Sequence, residues 1–477
     1  MRYEPVIGIE VHAELSTDTK IYCGCKNKFG GEINSHCCPV CTGMPGSLPV
    51  LNGKVVDYAI KAGLAMDCDI TRSSKQDRKN YFYPDLPKAY QISQFDLPLC
   101  INGGIDIVVD GEKKRIGVTR IHIEEDAGKS IHDAVEGKTL LDYNRCGVPL
   151  IEIVSEPDMR SSADAKEYLD TLKAILEYIG VSDCKMQEGS LRCDVNVSLR
   201  PEGQKEFGVR TEMKNVNTFS GAIKGIEYEI KRQTEILENG GVIEQETRRW
   251  DDATGTSLPL RSKEEAHDYR YFPEPDLMPI VISEEHIKEI GDTIPELPHV
   301  KKQRYIDSLG LPEYDAGQLT QTKVIADFFE NVMSFGVEAK PASNWIMGDV
   351  WGMMNERYLT METLPFTAES LAKMIKRISD GTISNTAAKQ VLEAMFENAK
   401  DPDEIIDELG LKQVNDEGAI IAIIDEVLAA NPQSVEDFKN GKQQVVGFLV
   451  GQVMRASKGK ANPQTVNQLI KDALSKL

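Results

Sequence analysis

Along residues 5–15 apolar and polar positions alternate. Ile7, Ile9 and Val11 fall on one side; Glu10, His12 and Glu14 fall on the other. A period of two puts these sets on opposite faces of a β-strand. The pattern returns at 190–200, with Leu191, Cys193, Val195, Val197 and Leu199 against Arg192, Asp194, Asn196, Ser198 and Arg200. It returns again at 208–215, where Arg210, Glu212 and Lys214 share a face. Helical spacing interrupts it twice. Residues 161–180 align Leu169, Leu172, Ile175, Leu176 and Ile179 in one stripe, with Ser161 and Asp164 as a capping start and Gly180 as a stop. From Phe219 to about Asn239, Ala222, Ile223, Ile226 and Ile230 face inward.

Beyond about Pro295 strand alternation ends. Residues 326–333, 371–378 and 443–460 carry helical apolar spacing, the last running into a basic turn. The expected fold is therefore α+β. A mixed or antiparallel-sheet domain spans 1–294, an all-helical domain 295–405 and a small helical tail domain 406–477.

A chain of 477 residues can bury a real core. No apolar run approaches a membrane span, and the N-terminus enters a strand pattern without a signal-peptide core, so a cytoplasmic location is expected. A net charge of −21 disfavours general nucleic-acid affinity. The charge is uneven, however. After position 438 the basic residues 439, 442, 455, 458, 460, 471 and 476 face one acid, Asp472, so a polyanion could dock there.

Ten cysteines in such a chain are not expected to form disulfides. Two close pairs, Cys23/Cys25 and Cys38/Cys41, flank a loop containing Gly30 and Gly31. That spacing suits a closed, tetrahedral, structural zinc. Cys37 points away from its neighbour in an extended segment and is left out.

Candidate chemistry concentrates on acids. Glu10 and His12 share a strand face, an arrangement that suits a divalent cation taking oxygen and imidazole ligands. Glu124, Glu125 and Asp126 repel one another unless a cation neutralises them. A second block sets Asp142, Asn144, Arg145 and Glu152 around a Gly-Val-Pro turn. Asp194 and Asn196 beside Glu212 and Lys214 resemble a site for Mg²⁺ and ATP, where metal bridges phosphates and lysine screens the remaining charge. The segment 79–94 is a loop dense in aromatics, with Lys79 and Lys88 available to an anion. Residues 261–277 pack His267, Asp268, Tyr269, Arg270, Tyr271, Glu274 and Asp276 between fixed prolines. There is no P-loop, no Gly-x-Ser-x-Gly and no zincin histidine pair. Metal-dependent phosphoryl transfer fits these acids better than nucleophilic hydrolysis does.

Several blocks closely resemble the B subunits of the aspartyl/glutamyl-tRNA(Asn/Gln) amidotransferases. They are Ile7-Gly-Ile-Glu-Val-His12, Cys38-Pro-Val-Cys41 with the following 43–52, Tyr81-Phe-Tyr-Pro-Asp-Leu-Pro-Lys88, the blocks at 121–129 and 141–153, and 267–276. The resemblance runs through the chain in order. It implies a catalytic cradle domain, a helical domain and a YqeY-like tail. It implies ATP and Mg²⁺ as cofactors in phosphorylating the side-chain carboxylate of Glu or Asp misacylated on tRNA. The partners implied are a glutaminase A subunit that supplies ammonia and a small C subunit, in a heterotrimer. It further implies Glu10, His12, Glu125, Glu152, Asp194 and Glu212 as the catalytic metal and phosphate group, with Glu10, His12 and Glu125 on Mg²⁺. Lys79, Lys88, Lys214 and Arg270 are candidates for phosphate contacts, and Asp126, Asp142, Asn144 and Arg145 for groups that hold the ligands. Alternation alone sets Glu125 with Ile121 and Ile123; the resemblance prefers Glu125 over Glu124. A tRNA-binding scaffold without chemistry is the rival reading, and it leaves these acids unexplained.

Overall fold

A computed structural model describes residues 2–133, 137–216, 218–262, 269–413, 417–440, 442–457, 461 and 463–476. The chain divides into two compact units, Met1–Leu297 and Pro298–Leu477.

The first unit opens with β1 (Tyr3–Glu14), α1 (Gly53–Ala65) and the short strands β2 (Asp69–Ile70), β3 (Ser73–Ser74), β4 (Asp77–Asn80) and β5 (Tyr90–Ser93). A long hairpin follows, β6 (Cys100–Val109) and β7 (Glu112–Glu125), then β8 (Lys129–Asp133), β9 (Lys138–Asp142) and β10 (Pro149–Ser155). The remainder is α2 (Ser162–Tyr178), β11 (Leu191–Pro201), β12 (Thr211–Val216), α3 (Phe219–Glu238), β13 (Glu246–Asp251), β14 (Thr256–Ser262), β15 (Phe272–Pro273), β16 (Ile280–Val281) and α4 (Glu284–Gly291).

Nine strands form one sheet in the order β14-β13-β12-β11-β1-β10-β7-β6-β2. All neighbours are antiparallel except β12 and β13, which are parallel. A parallel pair needs a crossover, and α3 supplies it. The odd positions of the central strands make the back of the sheet. Ile7, Ile9, Val11 and Ala13 of β1 are buried there with Ile121, Ile123, Ile151, Ile153, Val195 and Val197. Helices α1, α2 and α3 cover this face. Each fully buried Ile or Leu contributes about 1.5–3 kcal/mol, so the whole stripe pins the register. The even positions face the other way and carry the polar residues.

Helix α2 begins as its sequence predicts: Ser161 caps it by accepting from the Asp164 amide, and Leu169, Leu172, Ile175 and Leu176 are buried. Helix α3 also buries Glu229 and Gln233, which an apolar count overlooks. The segment 79–94 is not simply a loop. Strands β4 and β5 pair with each other, and β15 adds to β4, in a separate three-stranded sheet. His267 and Asp268 lie outside the described residues.

The second unit is built of helices around two apolar cores. One runs from Tyr305 through Phe329, Trp345, Leu371 and Leu392 to Ile406. The other runs from Ile420 through Leu449 to Leu474. The helix Pro402–Glu408, in which the expected boundary at 405 falls, buries Ile405 and Ile406 in the first core, so the change of core comes after it. Residues 458 and 460 of the basic tail lie outside the described residues.

Candidate active site

The register of the central strands builds a row of ionisable groups. His12 on β1 lies opposite Glu152 on β10, and Glu152 lies opposite His122 on β7. Glu124, two residues further along β7, shares the face. His12 Nε2 is 3.7 Å from Glu124 Oε1 and 3.5 Å from Glu152 Oε2. His122 Nε2 is 3.7 Å from Glu124 Oε2 and 3.2 Å from Glu152 Oε2. His122, Glu124 and Glu152 are buried. Burial would drive protons off both imidazoles, yet the two carboxylates prevail: His12 is raised, and His122 is pushed up to about 9. Burial likewise opposes the carboxylate charges, and the histidines reverse this, so both Glu124 and Glu152 are lowered. His12, Glu124 and Glu152 each offer a ligand atom within 4.8 Å of the others.

A second cluster sits beside the first. Glu10 on β1 faces Asp194 on β11, and the neighbouring Asn196 faces Glu212 on β12. Ligand atoms of Glu10, Asp194 and Glu212 lie within 4.8 Å of one another. Lys214 Nζ is 2.9 Å from Asp194 Oδ2 and 3.1 Å from Glu212 Oε1. Asn196 Nδ2 donates to Glu10 Oε1 at 3.1 Å, and Thr247 Oγ1 to Glu212 Oε2 at 3.0 Å. Burial raises the Glu10 pKa, and the charges of Glu152 and Asp194 add to it. Asn196 Oδ1 is buried and has no hydrogen-bond partner among the described residues. Crowded oxygen donors with an orphaned amide oxygen fit a hard divalent cation.

Two expectations require correction. Glu10 and His12 do not belong to one cluster; they head two adjacent ones. Glu125 joins neither. It turns to the other face of β7, where Lys88 donates to it and the Ile92 amide reaches Oε1 at 2.9 Å. Strand β7 runs unbroken through Glu125, so alternation holds to its last residue, and Glu124 takes the place beside His12. Sequence reasoning also missed His122. It stands between Ile121 and Ile123, and the signal was its shared parity with Glu124.

The supporting acids divide as well. Asp126 accepts from Arg192 Nη2 at 2.6 Å and lies 3.5 Å from Arg145 Nε, so it holds the end of the row. Beside it Glu14 is raised to about 7 by burial, then by Asp126. Asp142 and Asn144 serve the cysteine loop instead. They accept from the Asn34 amide at 3.2 Å and the His36 amide at 2.7 Å.

The sulfurs of Cys23, Cys25, Cys38 and Cys41 lie within 4.8 Å of one another. Four thiols at that spacing fit zinc and leave no open position. The hydrogen bond from Cys23 leads in bringing Cys41 down to about 5, against burial and with help from the Cys38 backbone and Lys20. Cys37 stands apart, its Sγ 3.1 Å from the Asn34 carbonyl oxygen.

The four candidate phosphate-binding cations are dispersed. Lys214 lies in the Glu10 cluster. Lys79 stacks 4.9 Å over the Tyr269 ring; burial opposes its charge, but Glu124, Tyr271 and Glu152 raise it. Lys88 is engaged by Glu125. Arg270 accepts through its carbonyl from Asn80 Nδ2 at 2.8 Å. A cavity of about 890 Å³ opens beside Glu10, lined by Val6, Asn196, Phe207, Val209, Ile243 and Glu246 among others. Its lining includes Gly208, between β11 and β12, where a Cβ would come 2.0 Å from the Leu199 carbonyl oxygen. A residue without a side chain is required there.

The family model described as the GatB/GatE catalytic domain matches residues 5–288, and the GatB domain model matches residues 327–474. The chain is 61% identical over its full length, and that of the relative, to the B subunit of the aspartyl/glutamyl-tRNA(Asn/Gln) amidotransferase of Caldicellulosiruptor saccharolyticus. It is 59% identical to the protein of that name from a Thermoanaerobacter species and 55% identical to that from Clostridium tetani, again with both chains covered in full. Among the described residues no helix is long and apolar enough to cross a membrane. A sheet face bearing two adjoining carboxylate clusters, within a sequence matched from end to end, identifies the chain as a member of the family of aspartyl/glutamyl-tRNA(Asn/Gln) amidotransferase B subunits.

Proposed function

We propose that this chain transfers the γ-phosphoryl group of ATP to the side-chain carboxylate of Glu or Asp misacylated on tRNA, and that the acyl phosphate is amidated by ammonia from a glutaminase partner. The observation that carries this reading is the pair of carboxylate clusters side by side on one sheet face. A carboxylate is a poor electrophile until one oxygen leaves as phosphate. The substrate oxygen attacks the γ-phosphorus and ADP departs; ammonia then attacks the acyl carbon, phosphate departs and the ammonium proton is lost. The first step brings anions together, so positive charge must be held in place beforehand. Mg²⁺, when bound by Glu10, Asp194 and Glu212 or by His12, Glu124 and Glu152, would screen the phosphates. Lys214 holds two of these carboxylates in register and carries charge toward the same space. Lys79, near Glu124 and Glu152, is placed to screen the acyl group. The apolar wall of the cavity, with Val6, Phe207 and Ile243, suits a nucleobase, while Glu10 marks its phosphate end.

The tail would contact the tRNA and the four cysteines would hold a structural zinc, with a heterotrimer keeping the ammonia source close. The decisive assay is amide formation by the assembled complex on both misacylated tRNAs, with ATP hydrolysis followed in parallel. Hydrolysis that depends on misacylated tRNA supports the reading. Hydrolysis that ignores the tRNA, or none at all, refutes it. Metal analysis expects one zinc per chain, lost in a Cys38→Ser variant.

A further inference from the structure

Directly behind the Glu10 cluster, on the helix side of the sheet, lies a largely buried network of charged and polar side chains that the proposed chemistry does not use. Its centre is Glu229 on α3, fully buried. Arg232 Nη2 donates to its Oε2 at 2.8 Å, Ser257 Oγ donates to Oε1, and Arg248 Nε lies 3.3 Å away. Arg248 Nη2 also donates to the Ser257 carbonyl at 2.7 Å, and its Nη1 to Glu246 at 2.8 Å. Arg232 reaches Glu246 at 3.1 Å. Gln233 Nε2, 3.4 Å from Glu229, donates to the Val197 carbonyl and to Thr211 Oγ1, each at 3.2 Å. Through these bonds α3 is tied to β11, β12, β13 and β14 together.

The registers give this network its meaning. Thr211 pairs with Glu246 and faces the helix; the next pair, Glu212 with Thr247, faces the cluster. The network thus grips the residues adjacent to Glu212 and Thr247 on the reverse face. The sheet is irregular on either side of β12 and β13, with register shifts between Cys193 and Val195 and between Thr247 and Arg248. Backbone pairing alone is interrupted where Glu212 must meet Asp194. Two arginines and two glutamates balance in charge, but a buried ion network gains little stability over well-packed apolar side chains. What it adds is direction. Apolar packing permits sliding of the edge strands, whereas fixed donor and acceptor pairs specify one register.

We propose that Glu229 is a positioning residue for the Glu10–Asp194–Glu212 cluster, holding β12 to β14 against α3 so that Glu212 and Thr247 stay in place. The proposal rests on the reading of that cluster as a cation site. The test is Mn²⁺ titration of the full chain, with free Mn²⁺ followed by electron paramagnetic resonance, for Glu212→Gln, Glu229→Gln and Ser257→Ala. Glu212→Gln marks the binding step that belongs to the cluster. Glu229→Gln should weaken that same step about tenfold or more, the range expected of a group that orients ligands without touching the ion. It should raise the KM for ATP in the assembled complex more than it lowers kcat. Ser257→Ala, which removes one bond from the network, should weaken the step about threefold. A folded Glu229→Gln chain with the wild-type isotherm overturns the proposal. Should that variant fail to fold, the decision passes to Ser257→Ala, and an unchanged isotherm there overturns it. Loss of no step in Glu212→Gln refutes the cation reading itself, a result distinct from failure of the positioning role.

Discussion

The two carboxylate clusters start two residues apart on β1, yet they manage concentrated negative charge differently. Around His12 the glutamates are almost enclosed, with the Glu124 and Glu152 side chains 4% and 10% exposed, and two imidazoles bridge them. Around Glu10, Asp194 and Glu212 are 19% and 21% exposed, and a lysine on the rim compensates them. Imidazole is a ligand once it loses its proton, whereas an ammonium is not. The enclosed cluster is therefore suited to exchanging protons for a resident cation. The open one is suited to a cation that arrives with phosphate and leaves with it.

The largest effect should come from breaking the enclosed cluster. Glu124→Gln leaves His12 and the buried His122 with half their compensation and removes one ligand atom. We predict a loss of amide formation on the order of 10³-fold, the scale for a group that stabilises developing charge in a dry site. Glu125→Gln should cost at least tenfold less in the same assay, because Glu125 binds Lys88 and the Ile92 amide on the other face. The reverse order of severity would overturn the division of the two glutamates between faces. Next in size is His122→Ala. His122 bridges Glu124 and Glu152 from the same face, so its loss should weaken Mn²⁺ binding at the enclosed cluster by roughly 10- to 100-fold. The Glu10 cluster should be unaffected, and equal weakening of both would merge what geometry separates.

The contrast between clusters was only partly legible in the sequence. Period-two alternation over 5–15 and 190–200 specified which residues face the site, because every second residue of those strands had to be buried. It could not say that β1 lies between β11 and β10. Glu10 and His12 look like one site on paper; the split arises because β1 has β11 on one flank and β10 on the other. The preference for Glu125 failed for a related reason. Three consecutive acids leave parity to be decided by where the strand ends, and β7 runs one residue past Glu124. His122 and Glu229 were hidden by apolar neighbours, since a polar residue in an apolar stripe declares its role only through its partners. The crossover helix and the three-stranded sheet of β4, β5 and β15 depend on pairings between segments far apart in sequence.

A smaller effect should come from the open cluster's lysine. Lys214→Met keeps the length of the side chain and leaves Asp194 and Glu212 uncompensated. We predict a KM for ATP about tenfold higher with kcat changed less, and a defect that grows as salt is lowered, since added salt partly screens exposed charge. The matching salt series on Glu124→Gln should be nearly flat, because salt does not reach a buried pair. Parallel salt dependence in the two variants would erase the distinction between dry and wet clusters.

The finest test concerns one hydroxyl. Thr247 Oγ1 donates to Glu212 from β13, which joins β12 in parallel. Thr247→Val keeps shape and burial and deletes one hydrogen bond to a carboxylate, worth about 1 kcal/mol. That corresponds to about a fivefold weaker Mn²⁺ step at the open cluster. If the hydroxyl merely satisfies Glu212 in the empty site, a bound cation would take over its role, and affinity would stay the same or rise. Weakening by about fivefold means instead that Thr247 holds the carboxylate in the orientation the cation needs. The sign of this small change therefore separates an open cluster that is built in advance from one that forms only when the cation arrives.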